Sequence, residues 1–280
     1  MALAYSLVDV FTDRPLEGNQ LAVFDDASAL SVEQMQRLAR EMNLAESVFL
    51  LPPRAGGAAR LRIFTPLLEL PFAGHPVLGT AFVVGQTDRS DVLELETGAG
   101  AIAVELTREE NTVVFGRMQQ PVPTWSAFER ADELLAALGV ERSGLPVEAY
   151  RNGPVHVYVE LADEEAVRGL APDMAALARF AGVGANCFAG GGRRWRTRMF
   201  GPGLGVPEDA ATGSAAGPLA VHLARHGRID FGDEIEIRQG IELGRPSLLH
   251  ARARGSDRGV EAVEVAGSAV IVGRGEITRW

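Results

Sequence analysis

Apolar and polar residues alternate in short runs over most of this chain, with a few longer stretches of helical period. Residues 4–11 and 20–24 are apolar and β-branched enough for strands, joined by a turn-rich loop holding Pro15 and Gly18-Asn19. Ser31 with Gln34 gives the reciprocal capping pattern of a helix start, and that helix runs to about Asn43. Strands at 47–51 and 61–64 precede a helix opening near His75, where Pro76 suits the first turn. Strands near 92–96, 101–106 and 112–117 follow.

The second half reads in the same way. A helix near 130–138 ends at Gly139, and strands follow near 147–150 and 154–160. Helical stretches at 163–169 and 172–180 lead to strands near 186–189 and 195–200. A helix over 214–226 stops at Gly227, and strands near 234–238, 247–253, 260–265 and 268–273 close the chain. Gln119-Gln120-Pro121-Val122-Pro123 is the linker candidate. The expected domains are residues 1–118 and 124–265, with a last strand near 266–280 placed to return to the first. Strand-rich halves, each with a buried helix, predict an α+β fold instead of a doubly wound parallel sheet.

The halves are related. Arg62-Ile-Phe-Thr-Pro-Leu-Leu-Glu-Leu-Pro71 is echoed by Arg198-Met-Phe-Gly-Pro-Gly-Leu-Gly-Val-Pro207 at an offset of 136 (198 − 62). A glycine-containing run opening an apolar segment follows each copy, at Ala73-Gly74-His75-Pro76 and at Ala211-Thr212-Gly213-Ser214. One unit used twice predicts two special loops facing each other across a cleft, a common setting for an active site.

Charge and composition narrow the chemistry. A net charge of −10 argues against a nucleic-acid or anionic-membrane partner. No apolar run approaches the roughly 20 residues of a spanning helix, and the N-terminus reads as a strand, not a signal peptide. A single cysteine, Cys187, rules out an internal disulfide or a cysteine metal cluster. These features predict a cytoplasmic protein.

Several residues are candidates for chemistry. Thr212-Gly213-Ser214 before a helix lets backbone N–H groups approach an anion, although a tight turn with an N-cap residue has the same sequence. It is neither a phosphate-binding lysine loop nor a dinucleotide fingerprint. Asp209 beside one special loop and His75 in the other could exchange protons or hold a polar substrate; each alone also reads as a helix-start acid or a satisfied histidine. Glu46, at the mouth of an apolar strand, is placed for a raised pKa but equally reads as a solvated loop glutamate. His222 and His226 have i, i+4 spacing, with no acidic partner near them in sequence to complete a metal site. Arg193-Arg-Trp-Arg-Thr-Arg198 reads as a solvated strand face, and Cys187 as a buried free thiol.

The residues resemble the phenazine-biosynthesis PhzF family, essentially end to end. The resemblance is carried by Leu16-Glu-Gly-Asn19, Arg40-Glu-Met-Asn-Leu44 with Glu46, Glu69-Leu-Pro-Phe-Ala-Gly-His-Pro76, Asn186-Cys-Phe-Ala-Gly190, Glu208-Asp-Ala-Ala-Thr-Gly-Ser-Ala-Ala-Gly-Pro218 and Gly244-Arg-Pro-Ser247. Ala210 replaces the proline usual in the wider superfamily, and Leu68 stands where the phenazine enzymes have a polar residue.

The resemblance implies a diaminopimelate-epimerase-like α+β fold: two similar halves, each a curved, mostly antiparallel sheet around a central helix, with the active site in the cleft between them. Two-thiol racemisation is excluded, because neither special loop carries a cysteine. The implied reaction is isomerisation of trans-2,3-dihydro-3-hydroxyanthranilate to an amino-ketone by proton transfer from C3 to C1. The implied roles are Glu46 as catalytic base and acid, His75 and Asp209 as polar partners, Gly213 and Ser214 as carboxylate holders, and Gly74 as a backbone contact. No cofactor and no metal are implied. The implied assembly is a homodimer acting on a small molecule, with contacts to other phenazine enzymes conceivable. The alternatives are an isomerase of another small amino- or hydroxy-acid and a non-enzymatic ligand-binding relative.

Overall fold

The computed structural model describes residues 2–256 and 258–279. The chain divides into two compact units, Met1–Gln119 with Val265–Trp280, and Gln120–Glu264.

In the first unit, β1 (Leu3–Val10) lies between β2 (Asn19–Phe24) and the chain's last strand, Ala269–Ile277, antiparallel to both. Helix α1 (Val32–Met42) connects β2 to β3 (Glu46–Leu51), which pairs parallel to β2. Strand β4 (Ala59–Phe64) runs antiparallel to β3 and turns back as the two-residue β5 (Glu69–Leu70). Helix α2 (Gly74–Val84) then carries the chain to β6 (Val92–Thr97), parallel to β4. Strands β7 (Gly100–Glu109) and β8 (Thr112–Gln120) extend the sheet antiparallel.

The second unit repeats this order. Strand β9 (Thr124–Ala127) and, after α3 (Ala131–Leu138), β10 (Glu148–Arg151) and β11 (Val155–Glu160) pair antiparallel in turn. Short helices α4 (Glu164–Arg168) and α5 (Met174–Leu177) lead to β12 (Val183–Gly191), parallel to β11. Strand β13 (Arg194–Gly201) turns back as β14 (Val206–Asp209). Helix α6 (Gly213–Arg225) leads to β15 (Glu234–Gln239), parallel to β13, and β16 (Ser247–Ser256) pairs antiparallel with β15. Strand β17 (Gly259–Gly267) follows. Each unit thus has a parallel step over one connection, a short hairpin, and a second parallel step over a buried helix.

The helices form for different reasons. Ser31 accepts from the Gln34 N–H while Gln34 accepts from Ser31, and α1 presents Met35, Leu38 and Ala39 to the core. There they meet Phe24, Phe49 and Phe64; the first two rings stack at 4.8 Å and the third meets Phe49 edge-on at 5.5 Å. In contrast, α2 is buried from Gly74 to Phe82 and α6 from Gly213 to Ala224. Helices buried on nearly every face need close neighbours. Gly79 provides this: a Cβ there would lie 2.6 Å from Val10 Cγ2 and 2.7 Å from Leu21 Cδ2.

The internal echo has a structural meaning. Arg62 forks onto Glu69 (Nε–Oε1 2.7 Å, Nη2–Oε2 2.6 Å) with its guanidinium 5.2 Å from the Phe64 ring. Arg198 forks onto Glu208 (2.7 and 2.8 Å) with its guanidinium 4.8 Å from the Phe200 ring. Phe64 pairs with Glu69 and Phe200 with Glu208 across the two hairpins. The three-residue turn Pro202–Leu204 lengthens the offset from 136 to 139 (208 − 69).

Some sequence expectations need correction. Gln119 and Gln120 are not linker but the end of β8, and Gln120 is buried. The two helical stretches of 163–169 and 172–180 shrink to five and four residues. The basic run is not wholly solvated: Arg193 and Arg194 are exposed, but Arg196 pairs with Glu242 and Arg198 is buried. Cys187 is buried as expected, and burial pushes its thiol up to about 12, so it is inert.

Candidate functional site

Glu46 opens β3 and His75 is the second residue of α2, and the fold of the first unit brings them together. His75 Nε2 lies 3.5 Å from Glu46 Oε2. The glutamate side chain keeps 14% of its exposure and the imidazole 4%, so the glutamate is the more accessible side chain. On the other side of the ring, the Asn19 side-chain nitrogen lies 3.3 Å from Nδ1. Burial pushes the His75 pKa down to about 3, with the Gln20 backbone opposing. The ring is therefore neutral near pH 7, and its contact with Glu46 is not an ion pair.

In the second unit, Asp209 ends β14 and stands four residues before α6, not at the helix start itself. Thr212 is the N-cap, yet its side chain makes no cap bond; its hydroxyl donates to Asp209 Oδ2 at 2.8 Å. Gln239 organises this corner. Its amide nitrogen donates to Thr212 Oγ1 (2.8 Å) and to the Asp209 carbonyl (2.9 Å), and its oxygen accepts from the Thr212 N–H (3.2 Å). Gly240 lets the chain pass: at φ 76°, a Cβ would sit 2.5 Å from the Ala210 carbonyl oxygen.

The starts of α2 and α6 share a property. Helices α1, α4 and α5 are capped by Ser31, Asp163 and Asp173. Helices α2 and α6 have no side-chain cap bond and no acidic residue in the first turn. Their leading N–H groups, at Gly74 and at Gly213 and Ser214, are thus suited to an anion from outside the helix. The hairpin offset places His75 in register with Ser214, and Asp209 with Leu70. The pairing of Ala73-Gly74-His75-Pro76 with Ala211-Thr212-Gly213-Ser214 read from the sequence is therefore out by one residue.

Sequence reasoning missed the polar residues beneath α6. His156 Nε2 is 2.9 Å from Ser214 Oγ, and the Asn186 amide nitrogen is 3.3 Å from His156 Nδ1. Asn152 donates to the Ser214 carbonyl at 3.1 Å, and Gln120 to the Gly213 carbonyl at 2.8 Å. Their only sequence signal is a polar residue in an apolar strand, for His156, Asn186 and Gln120, or just past a strand end, for Asn152. Elsewhere, Glu148 joins His222 and His226, a partner that spacing did not reveal, and the three donor atoms lie within 4.8 Å of one another. Arg225 Nη1 already sits 2.6 Å from Glu148 Oε2, and Tyr150 donates to the same oxygen at 2.9 Å. The Arg225 charge occupies the place a cation would take, and the cluster reads as an ion-paired helix end.

The comparisons with known proteins agree with this architecture. The family profile described as PhzC-PhzF, phenazine biosynthesis-like protein, matches residues 8–275. The chain belongs to the PhzC-PhzF family. Within it, the chain is 56% identical over 273 residues to a trans-2,3-dihydro-3-hydroxyanthranilate isomerase of Pseudomonas fluorescens, covering 98% of both chains. It is 57% identical, with the same coverage, to the isomerase of that name from Pseudomonas chlororaphis. A PhzF-family phenazine biosynthesis protein of Bacillus anthracis superposes with a TM-score of 0.85 over 100% of both chains at 24% identity, which establishes the fold alone. The fold is α+β and diaminopimelate-epimerase-like, as expected. No helix among the described residues is long and apolar enough to cross a membrane.

Proposed function

We propose that this protein isomerises trans-2,3-dihydro-3-hydroxyanthranilate to an amino-ketone by moving one hydrogen from C3 to C1. The observation that carries this reading is the identity of more than half of all positions, over nearly the whole chain, to isomerases of that substrate. We assign Glu46 as the group that removes and returns the proton. A partly exposed glutamate side chain against a neutral imidazole favours this role, since Glu46 must be ionised to accept the proton and then hold it. One carboxylate can serve both steps because the proton leaves and returns on the same face of the ring.

We assign His75 and Asp209 to the substrate's hydroxyl and amino groups. Being neutral, His75 can donate or accept without a charge change. The N–H groups of Gly74, Gly213 and Ser214 are assigned to polar groups of the substrate, the last two to its carboxylate; the missing caps of α2 and α6 support this. No cofactor or metal enters this scheme. The protein is proposed to act as a homodimer in the cytoplasm, on a small molecule and without nucleic acid or membrane.

The test is direct. Purified, exhaustively chelated and dialysed protein is mixed with the dihydro-hydroxyanthranilate and the absorbance followed. Substrate labelled with deuterium at C3 should carry the label to C1, or solvent deuterium should appear there. Turnover lost on chelation, or neither labelling pattern, overturns the single-carboxylate scheme.

A further inference from the structure

Ser214 is the second residue of α6, and among the described residues its hydroxyl has one hydrogen-bond partner, the His156 ring. The direction of that bond follows from the residues behind it. Asn186 Nδ2 lies 3.0 Å from the Gly184 carbonyl oxygen, which can only accept. That fixes which end of the amide is NH₂. The second amide hydrogen points to His156 Nδ1 at 3.3 Å, so Nδ1 presents its lone pair. A neutral imidazole holds its single proton on the other nitrogen, Nε2, and Nε2 donates to Ser214 Oγ at 2.9 Å. Burial keeps this ring neutral, holding its pKa down at about 3. The hydroxyl oxygen is thereby committed as an acceptor towards the ring. Its own proton cannot return to the ring and must go to another acceptor.

We propose that His156 and Asn186 are positioning residues that set the polarity of this chain, so that Ser214 donates its hydroxyl proton to the substrate carboxylate. The proposal rests on the reading that Ser214 holds that carboxylate. The order serine–histidine–asparagine looks like a nucleophilic triad but runs in the opposite sense. In a triad an aspartate accepts from Nδ1–H, and Nε2 takes the serine proton. Here the asparagine donates to Nδ1, so Nε2 gives a hydrogen bond instead of accepting one. Ser214 is made a better donor, not a nucleophile. Tyr158, next inward-facing on β11, donates to the Ala215 carbonyl at 2.6 Å and holds the helix start against the same strand.

Spectra, binding and kinetics test this. Nitrogen-15 spectra of native protein labelled in histidine should show His156 with a bare Nδ1 and a protonated Nε2; the opposite tautomer overturns the proposal whatever the substrate. Asn186→Asp keeps the size and reverses the chain, giving up the donation to the Gly184 carbonyl and leaving Ser214 only lone pairs to offer. This variant should bind 3-hydroxyanthranilate about tenfold more weakly by calorimetry, the scale of one charge-assisted hydrogen bond. KM should rise by a similar factor while kcat stays within about threefold, as for binding shared by ground and transition states. Ser214→Ala should do the same, and the double variant should be no worse than either alone. Native affinity in Asn186→Asp overturns the proposal. A native protein with the expected tautomer that fails to turn over the dihydro-hydroxyanthranilate sinks the proposed reaction, not the assigned polarity.

Discussion

Asn152 supplies the hydrogen bond that Pro218 cannot. Pro218 lies inside α6 and has no N–H for the Ser214 carbonyl one turn earlier; the Asn152 side chain donates to that carbonyl at 3.1 Å. Removing the donor leaves a buried carbonyl unsatisfied, so Asn152→Ala should cost about 1–3 kcal/mol. Pro218→Ala restores a backbone N–H at the same place. It should therefore recover part of the loss in the double variant, a non-additivity that denaturant titration of all four proteins would measure.

Glu46→Gln should bind a substrate analogue with little change and lose activity by roughly 10²–10⁴-fold, the usual worth of a general acid–base group. Glutamine keeps the shape and loses the base. Stopped-flow turnover with calorimetric binding separates the two effects, and near-native kcat would remove Glu46 from the mechanism.

Acid sensitivity should follow from the buried histidines. His75 and His156 both have pKa values near 3 in the fold, below the ordinary value of 6.5. Between those limits the unfolded chain binds protons that the folded protein does not. Stability should fall as pH drops from 6.5 towards 3, by about 1.4 kcal/mol per pH unit for each ring. Above pH 6.5 neither ring contributes a slope. Urea unfolding of His75→Gln across this range should show a shallower decline than native protein.

The two repeated arginine forks should differ in weight. Arg198 and Glu208 retain only 9% and 14% side-chain exposure, against 24% and 39% for Arg62 and Glu69. Arg198 Nη1 also serves the Leu170 carbonyl at 2.8 Å. Arg198→Met strands a nearly buried carboxylate and should cost about 3–5 kcal/mol. Arg62→Met leaves Glu69 in reach of water and should cost about 1 kcal/mol or less. Equal costs in thermal unfolding would mean that burial does not set the difference.

Much of this was legible because it is local. The Ser31–Gln34 cap, the strand that Glu46 opens and the two small-residue helix starts each lie within a few residues, where spacing carries geometry. The paired arginines and phenylalanines were visible for the same reason. Their glutamates were not recognised as partners, because the turn at Pro202–Leu204 shifts one copy against the other. That shift also hid the correspondence of His75 with Ser214. His156, Asn186, Asn152 and Gln239 were missed because each acts on a residue at least 27 positions away. A single histidine in an apolar strand gives no local sign of what it faces.

The last strand, Ala269–Ile277, pairs with β1 along its whole length, from Leu3 to Val10. Its place in the second unit is taken by β9, which lies beside β10 only a few tens of residues further on. During synthesis the second unit emerges as one continuous piece, Gln120–Glu264. The first unit is made earlier but must wait, with one flank of β1 unpaired, until Ala269–Ile277 has emerged. The part of the protein translated first is therefore the part completed last.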